Sequence, residues 1–189
     1  AIVRMLAKDY AGALKALDGS EGEDLPPALA VQRVQLRSRA MMGVGESMGA
    51  LLLLEEDESR QAEQLRAESY WSSKDWPRAA QSLRKIIRID AAPNDEPLDP
   101  EQALNILNYA IALTLSGNDR GLGVLREKYG AAMYATDLKD AFVLIATPEQ
   151  FGLISQESIP SKVRVAENFQ TPMAAYKEPL APENLSQMN

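Results

Sequence analysis

The sequence predicts an all-α fold built from stacked helical hairpins. Three observations predict it. Aromatics make up only 6% of the 189 residues, and Ala and Leu dominate the apolar 46%, a composition that suits helices better than β-branched or aromatic-rich strands. Apolar residues recur at helical spacing between short Gly-, Pro- and Asp-containing breaks. The middle of the chain repeats itself: Gln32, Gln35, Leu36 and Arg37 correspond to Gln61, Gln64, Leu65 and Arg66, and Ala50, Leu51 and Leu54 to Ala79, Ala80 and Leu83, at a constant offset of 29. An isolated two-helix unit of this size cannot bury its own apolar side, so repetition implies stacking.

In chain order, the first element starts at once and breaks at Lys8-Asp9-Tyr10, and a second helix covers Ala11 to Leu17, with Ala13, Leu14 and Leu17 on one face. Gly19-Ser20-Glu21-Gly22 ends it. Leu25-Pro26-Pro27 opens the next helix, because Pro is tolerated in a first turn. That helix is expected to reach Met42, with Val31, Val34, Met41 and part of Leu36 inward. After Gly43-Val44-Gly45-Glu46, a return helix is expected from Ser47 to Glu56, burying Ala50, Leu51 and Leu54.

The stretch from Gln61 to Asp90 reads as an outgoing helix, a turn at Ser73-Lys74-Asp75 and a return helix from Pro77 to Ile89 with Ala79, Ala80, Leu83, Ile86 and Ile87 inward. Tyr70 and Trp76 are expected in the hairpin core, with Trp71 one step round the helix. The segment 91–100 carries three prolines and three acids and reads as an exposed excursion. Asp99 is a good N-cap for a helix from Pro100 to Leu115. Ser116-Gly117-Asn118-Asp119 turns the chain into a helix from Arg120 to about Tyr129. Shorter apolar helices are expected at 137–146 and 148–154, then one from Ser161 to Tyr176 kinked at Pro172, with a frayed tail from Pro179.

The turn and its return helix recur beyond the two middle hairpins. Lys8-Asp9-Tyr10-x-x-Ala13 matches Lys74-Asp75-Trp76-x-x-Ala79, Gly45-Glu46-Ser47-x-x-Ala50 matches again, and Gly117-Asn118-Asp119-Arg120 is a weaker copy. These residues resemble the tetratricopeptide repeat family, whose second helix begins Gly-Asp-Tyr-x-x-Ala. The resemblance implies a right-handed superhelix of helical hairpins over residues 1–130 (about 1–20, 27–57, 58–90 and 100–130, with the loop 91–100 between the last two). Residues 131–178 then serve as a C-terminal helical cap and 179–189 as a tail. The C-terminal part is similar to the ends of long bacterial repeat proteins. Two departures stand out. The turn residues Asp9, Glu46, Asp75 and Asn118 are separated by 37, 29 and 43 residues, against about 34 in the family. Arg37 and Arg66 occupy a first-helix position that is often apolar there.

By the same resemblance the first helices line a concave groove. Gln32, Gln35, Arg39 and Met42 of one hairpin and Gln61, Gln64, Glu68 and Trp71 of the next would form a ladder of polar side chains with one large anchor. Such a surface suits a peptide or protein partner. The implied function is a non-catalytic protein–protein interaction scaffold. The alternative is a structural segment that caps a longer repeat protein or self-associates.

Chemistry finds little purchase. The chain has no Cys and no His, which removes disulfides, thiol nucleophiles and imidazole catalysis and leaves serines without their usual base. Ser73-Lys74 and Ser161-Lys162 are adjacent in sequence only. Gly121-Leu122-Gly123 lacks the strand and the Lys-Ser/Thr of a phosphate loop. The acidic run Glu55-Glu56-Asp57-Glu58 lacks the spacing and glycine of a calcium loop, and Asn94-Asp95-Glu96 with Asp99 reads as a polar loop. No catalytic, cofactor or metal residue is assigned, and an enzyme such as a lyase on a helical-repeat frame is the least favoured reading. A net charge of −7 without a basic patch argues against nucleic acid, and no apolar stretch is long enough to insert in a membrane. Beginning at Ala1 in mid-pattern, the sequence is expected to be a piece of a longer protein; cytoplasm and periplasm both stay open.

Overall fold

A computed structural model describes residues 1–20, 25–90 and 97–147. Among the described residues it is all-helical, with nine helices and no strand. The helices are α1 (Ile2–Leu6), α2 (Tyr10–Asp18), α3 (Pro27–Gly43), α4 (Ser47–Leu53), α5 (Arg60–Ser72), α6 (Trp76–Ile89), α7 (Pro100–Leu115), α8 (Asp119–Met133) and α9 (Lys139–Ala146). The chain divides into two compact units, Ala1–Lys74 and Asp75–Asn189. The first holds α1 to α5 and the second α6 to α9. The helices expected at 148–154 and 161–176 and the tail lie outside the described residues, as does most of the excursion 91–100.

The repeated turns share one backbone device. Lys8 and Lys74 have φ of 57° and 59°, and Gly45 and Gly117 have φ of 91° and 69°. In three turns the residue after the left-handed one donates its N–H to the carbonyl five residues back: Asp9 to Arg4, Glu46 to Met41 and Asn118 to Leu113, at 2.8 to 2.9 Å. That closes the preceding helix as a Schellman motif does. The same residue then caps the next helix. Asp9 accepts from the Gly12 N–H, Asp75 from Arg78 and Asn118 from Gly121. Glu46 makes no such side-chain bond, which fits the weak capping power of a longer side chain.

In the first unit α2 packs on α3, and α3 packs on both α4 and α5. Ala13 and Ala50, each four residues after the turn acid, are 0% exposed, so small side chains there let the helices close up. The Tyr10 ring lies over Gly43; a Cβ at Gly43 would come within 2.3 Å of it. Ser38, buried in α3, donates to the Ala50 carbonyl at 2.9 Å. The inward stretch of α3 lies later than expected. Val31 is exposed, and the buried residues are Ser38 and Ala40. The cause is length: Arg33 already reaches the end of α2 at the Leu17 carbonyl, so the first turns of α3 project beyond the nine residues of α2. Helix α4 stops at Leu53, three residues before Glu56. A run of carboxylates at a helix C-terminus opposes the macrodipole, and Asp57 instead accepts from the Ser59 N–H to shape the turn into α5.

In the second unit α7 is central, with α6, α8 and α9 all packed on it. It is buried nearly all round, through Ala103, Ile106, Leu107, Ala110, Ile111, Ala112 and Leu113, as a helix enclosed by neighbours should be. Helix α6 presents Ala79, Ala80, Leu83, Ile86 and Ile87, all buried. Each fully buried Leu or Ile contributes about 1.5–3 kcal/mol. Asp99 and Gln102 form a reciprocal capping box at the start of α7. Helix α8 runs on to Met133 past Gly130, held by the buried Leu125 and Met133.

Candidate partner-binding surface

The eight ladder residues all lie in the first unit, on α3 and α5, which pack side by side. Their environments differ. Gln32 and Gln61 are exposed, while Gln35, Arg39, Gln64 and Glu68 are half-buried. Arg39 and Glu68 are brought together across the two helices, with Nη2 3.9 Å from Oε1. That separation is an ion pair between two half-buried side chains. Gln35 donates from Nε2 to Asp57 Oδ2 at 2.7 Å and to Ser59 Oγ at 3.1 Å, so its amide ties α3 to the start of α5. Met42 packs against the buried cluster of Leu54, Ala62 and Leu65. Trp71 is only 7% exposed, whereas Tyr70 and Trp76 are half-buried. The most deeply placed aromatic of the three is the one expected at the surface.

A set of interactions made by two arginines of α3 and α5 was not anticipated. Arg66 pairs with Glu63 at 2.8 Å, and its Nη2 donates to the carbonyls of Leu54 and Glu55. Glu63 is 1% exposed. Arg37 pairs with Asp18 at 2.7 Å. The signal was present in the sequence: these are the two arginines that stand where the repeat family often has apolar residues. Burial raises the Asp57 pKa, but the hydrogen bonds from Gln35 and Ser59 and the nearby Arg66 charge outweigh it, holding the carboxyl below its usual range.

The arrangement offers amides and a spread ion pair on a packed floor, which can form hydrogen bonds to another chain. Among the described residues, no group of three or more acidic side chains is placed to hold a metal, and no helix is long and apolar enough to cross a membrane. Comparison with protein-family models, curated proteins and solved structures finds no match to this chain.

Proposed function

We propose that this chain is a non-catalytic interaction scaffold of tetratricopeptide-like hairpins, which binds a peptide or protein partner along the α3–α5 face of its first unit. The observation that carries the reading is the Arg39–Glu68 pair at 3.9 Å, flanked by the exposed amides of Gln32 and Gln61. These polar groups sit on a rigid two-helix floor, and a positioned polar surface loses little freedom on binding. In this reading the superhelix is right-handed and the residues after 130 close it.

The test is selection of peptides from a displayed library on the immobilised chain. Selected peptides should bind the wild type and lose binding to the Gln32→Arg/Gln61→Arg double variant, with Tm unchanged because both side chains are exposed. Selected peptides indifferent to that pair of changes would remove the α3–α5 face from the proposal.

A second reading, self-association, is favoured by α1. Val3 is 78% exposed, Leu6 50% and Ile2 38%, and clustered exposed apolar side chains mark contact surfaces. Light scattering that rises with concentration, and is abolished by Val3→Glu, supports this reading; a monomer at all concentrations excludes it.

A further inference from the structure

Helix α4 shows solvent an apolar face. Met48 is 79% exposed and Leu52 66%. They stand one helical turn apart, with the half-buried Leu51 beside them. The opposite face of α4 is already filled. Ala50 is 0% exposed, Ser38 of α3 bonds its carbonyl, and a Cβ at Gly49 would fall 2.7 Å from the Met41 methyl. Met48 and Leu52 therefore cannot turn inward without displacing a helix seated against α3. One exposed leucine is ordinary, but large apolar side chains aligned on one helix face mark a contact surface. Acids stand at both ends of this face. Glu46 precedes α4, Glu55 and Glu56 follow it, and all three are exposed. Among the described residues none of the three forms an ion pair. The arginines of the neighbouring helices do not neutralise them, because Arg37, Arg39 and Arg66 are engaged by Asp18, Glu68 and Glu63.

We infer that this face of α4 docks a cationic amphipathic helix of another protein. The apolar side of that helix covers Met48 and Leu52, and its lysines or arginines meet Glu46, Glu55 and Glu56. The charge selects the occupant. A second copy of this chain laid face to face would set the same carboxylates against each other, a costly juxtaposition. A nucleic acid or an anionic lipid surface is repelled for the same reason. A helix with basic residues flanking its apolar ones matches both features at once. Helix-in-groove recognition reads anchors one turn apart, and the flexible thioether of Met48 adapts to side chains of different shape. The patch is small, which predicts micromolar rather than nanomolar affinity. It uses none of the residues of the α3–α5 ladder and does not depend on that reading.

The probe is a fluorescein-labelled peptide of leucines and lysines, about 15 residues long so that it can hold a helix, with the leucines on one face. Its anisotropy is followed as the full chain is added. Saturable binding is expected, weakening as salt is raised and shifting the Met48 methyl resonance. A leucine–glutamate peptide of the same pattern should bind at least about ten-fold more weakly. Met48→Gln with Leu52→Gln should weaken the lysine peptide about ten-fold or more with Tm unchanged, because both side chains lie outside the core. Glu55→Gln with Glu56→Gln should weaken it several-fold and flatten the salt dependence. No saturable binding, equal binding of the two peptides, or binding indifferent to the Met48 and Leu52 changes would each overturn the inference. So would self-association abolished by Leu52→Gln, or uptake onto phosphatidylglycerol vesicles in place of the peptide. The two peptides and the Met48 resonance decide the matter in the wild type even if a variant fails to fold.

Discussion

Arg66 of α5 donates a hydrogen bond to the carbonyl of Leu54, the residue that closes α4. The same relationship appears at two other helix ends. Arg33 of α3 donates to the Leu17 carbonyl in the last turn of α2, and Gln102 of α7 donates to the Asp90 carbonyl that follows α6. The end of a helix leaves carbonyls without intrahelical partners. In each case the next long helix sends a side chain to meet them, so that helix is fastened to the one before it by a polar tie as well as by apolar contact.

The ties should differ in strength. The Arg66 side chain is 11% exposed and pairs with a Glu63 that is 1% exposed. Arg66→Ala removes a carbonyl donor and a buried countercharge together, and should cost about 3–5 kcal/mol in urea unfolding. Arg66→Ala combined with Glu63→Leu should recover part of that loss. Arg33→Ala removes a tie to the Leu17 carbonyl without stranding a buried carboxylate such as Glu63 and should cost only about 0.5–1.5 kcal/mol.

The left-handed residues give a pair of opposite predictions. At Gly45 and Gly117 nothing lies within 4 Å of where a Cβ would sit, so substitution there tests backbone conformation alone. Gly45→Ala and Gly117→Ala should each destabilise by about 1 kcal/mol. Lys74→Gly, at φ 59°, should raise Tm, because the strain it relieves exceeds the entropy it adds by about half a kcal/mol. A fall in Tm for Lys74→Gly would mean that its side chain, not its backbone, matters.

Gly43→Ala fails for a different reason. Its Cβ would fall 2.3 Å from the Tyr10 ring, so α2 must shift against α3. A loss of about 1–3 kcal/mol is expected, as for overpacking. Tyr10→Leu in the same chain should reduce the penalty, a coupling that a double-mutant cycle would measure.

Acid should weaken the first unit through Asp57. Its folded pKa lies below the ordinary aspartate value. A depressed carboxyl stabilises the fold above the unfolded pKa, and the contribution disappears as pH falls through the folded value. The contribution is therefore complete above about pH 5 and declines below about pH 4. Asp57→Asn should flatten the urea midpoint in that window, and Gln35→Leu, which removes one of the hydrogen bonds holding Asp57 ionised, should flatten it in part. Asp9 is also held low, by the Gly12 N–H and by Arg4, so some acid sensitivity should survive both changes.

Helix starts were legible in the sequence because their causes are local. Asp75, Asp99 and Asn118 each cap the helix that begins just after them, and an N-cap needs only its own neighbours. The inward face of α6 was legible for the same reason: Leu83, Ile86 and Ile87 keep their helical spacing. Trp71 was not. Adjacent helix positions point about 100° apart, so whether Tyr70 or Trp71 goes inward depends on which neighbour lies on which side. Val31 was misplaced because its burial depends on the length of α2.

Gln102 has one further consequence. By gripping Asp90 with one end of its amide and Asp99 with the other, it staples together the two shores between which the intervening segment runs. The closing of that gap is the work of residues outside it, and extra length costs only slowly growing loop entropy. A fluorophore sequence or an affinity tag spliced there should leave α6 and α7 where they are, which makes this the natural place to put a handle on the molecule.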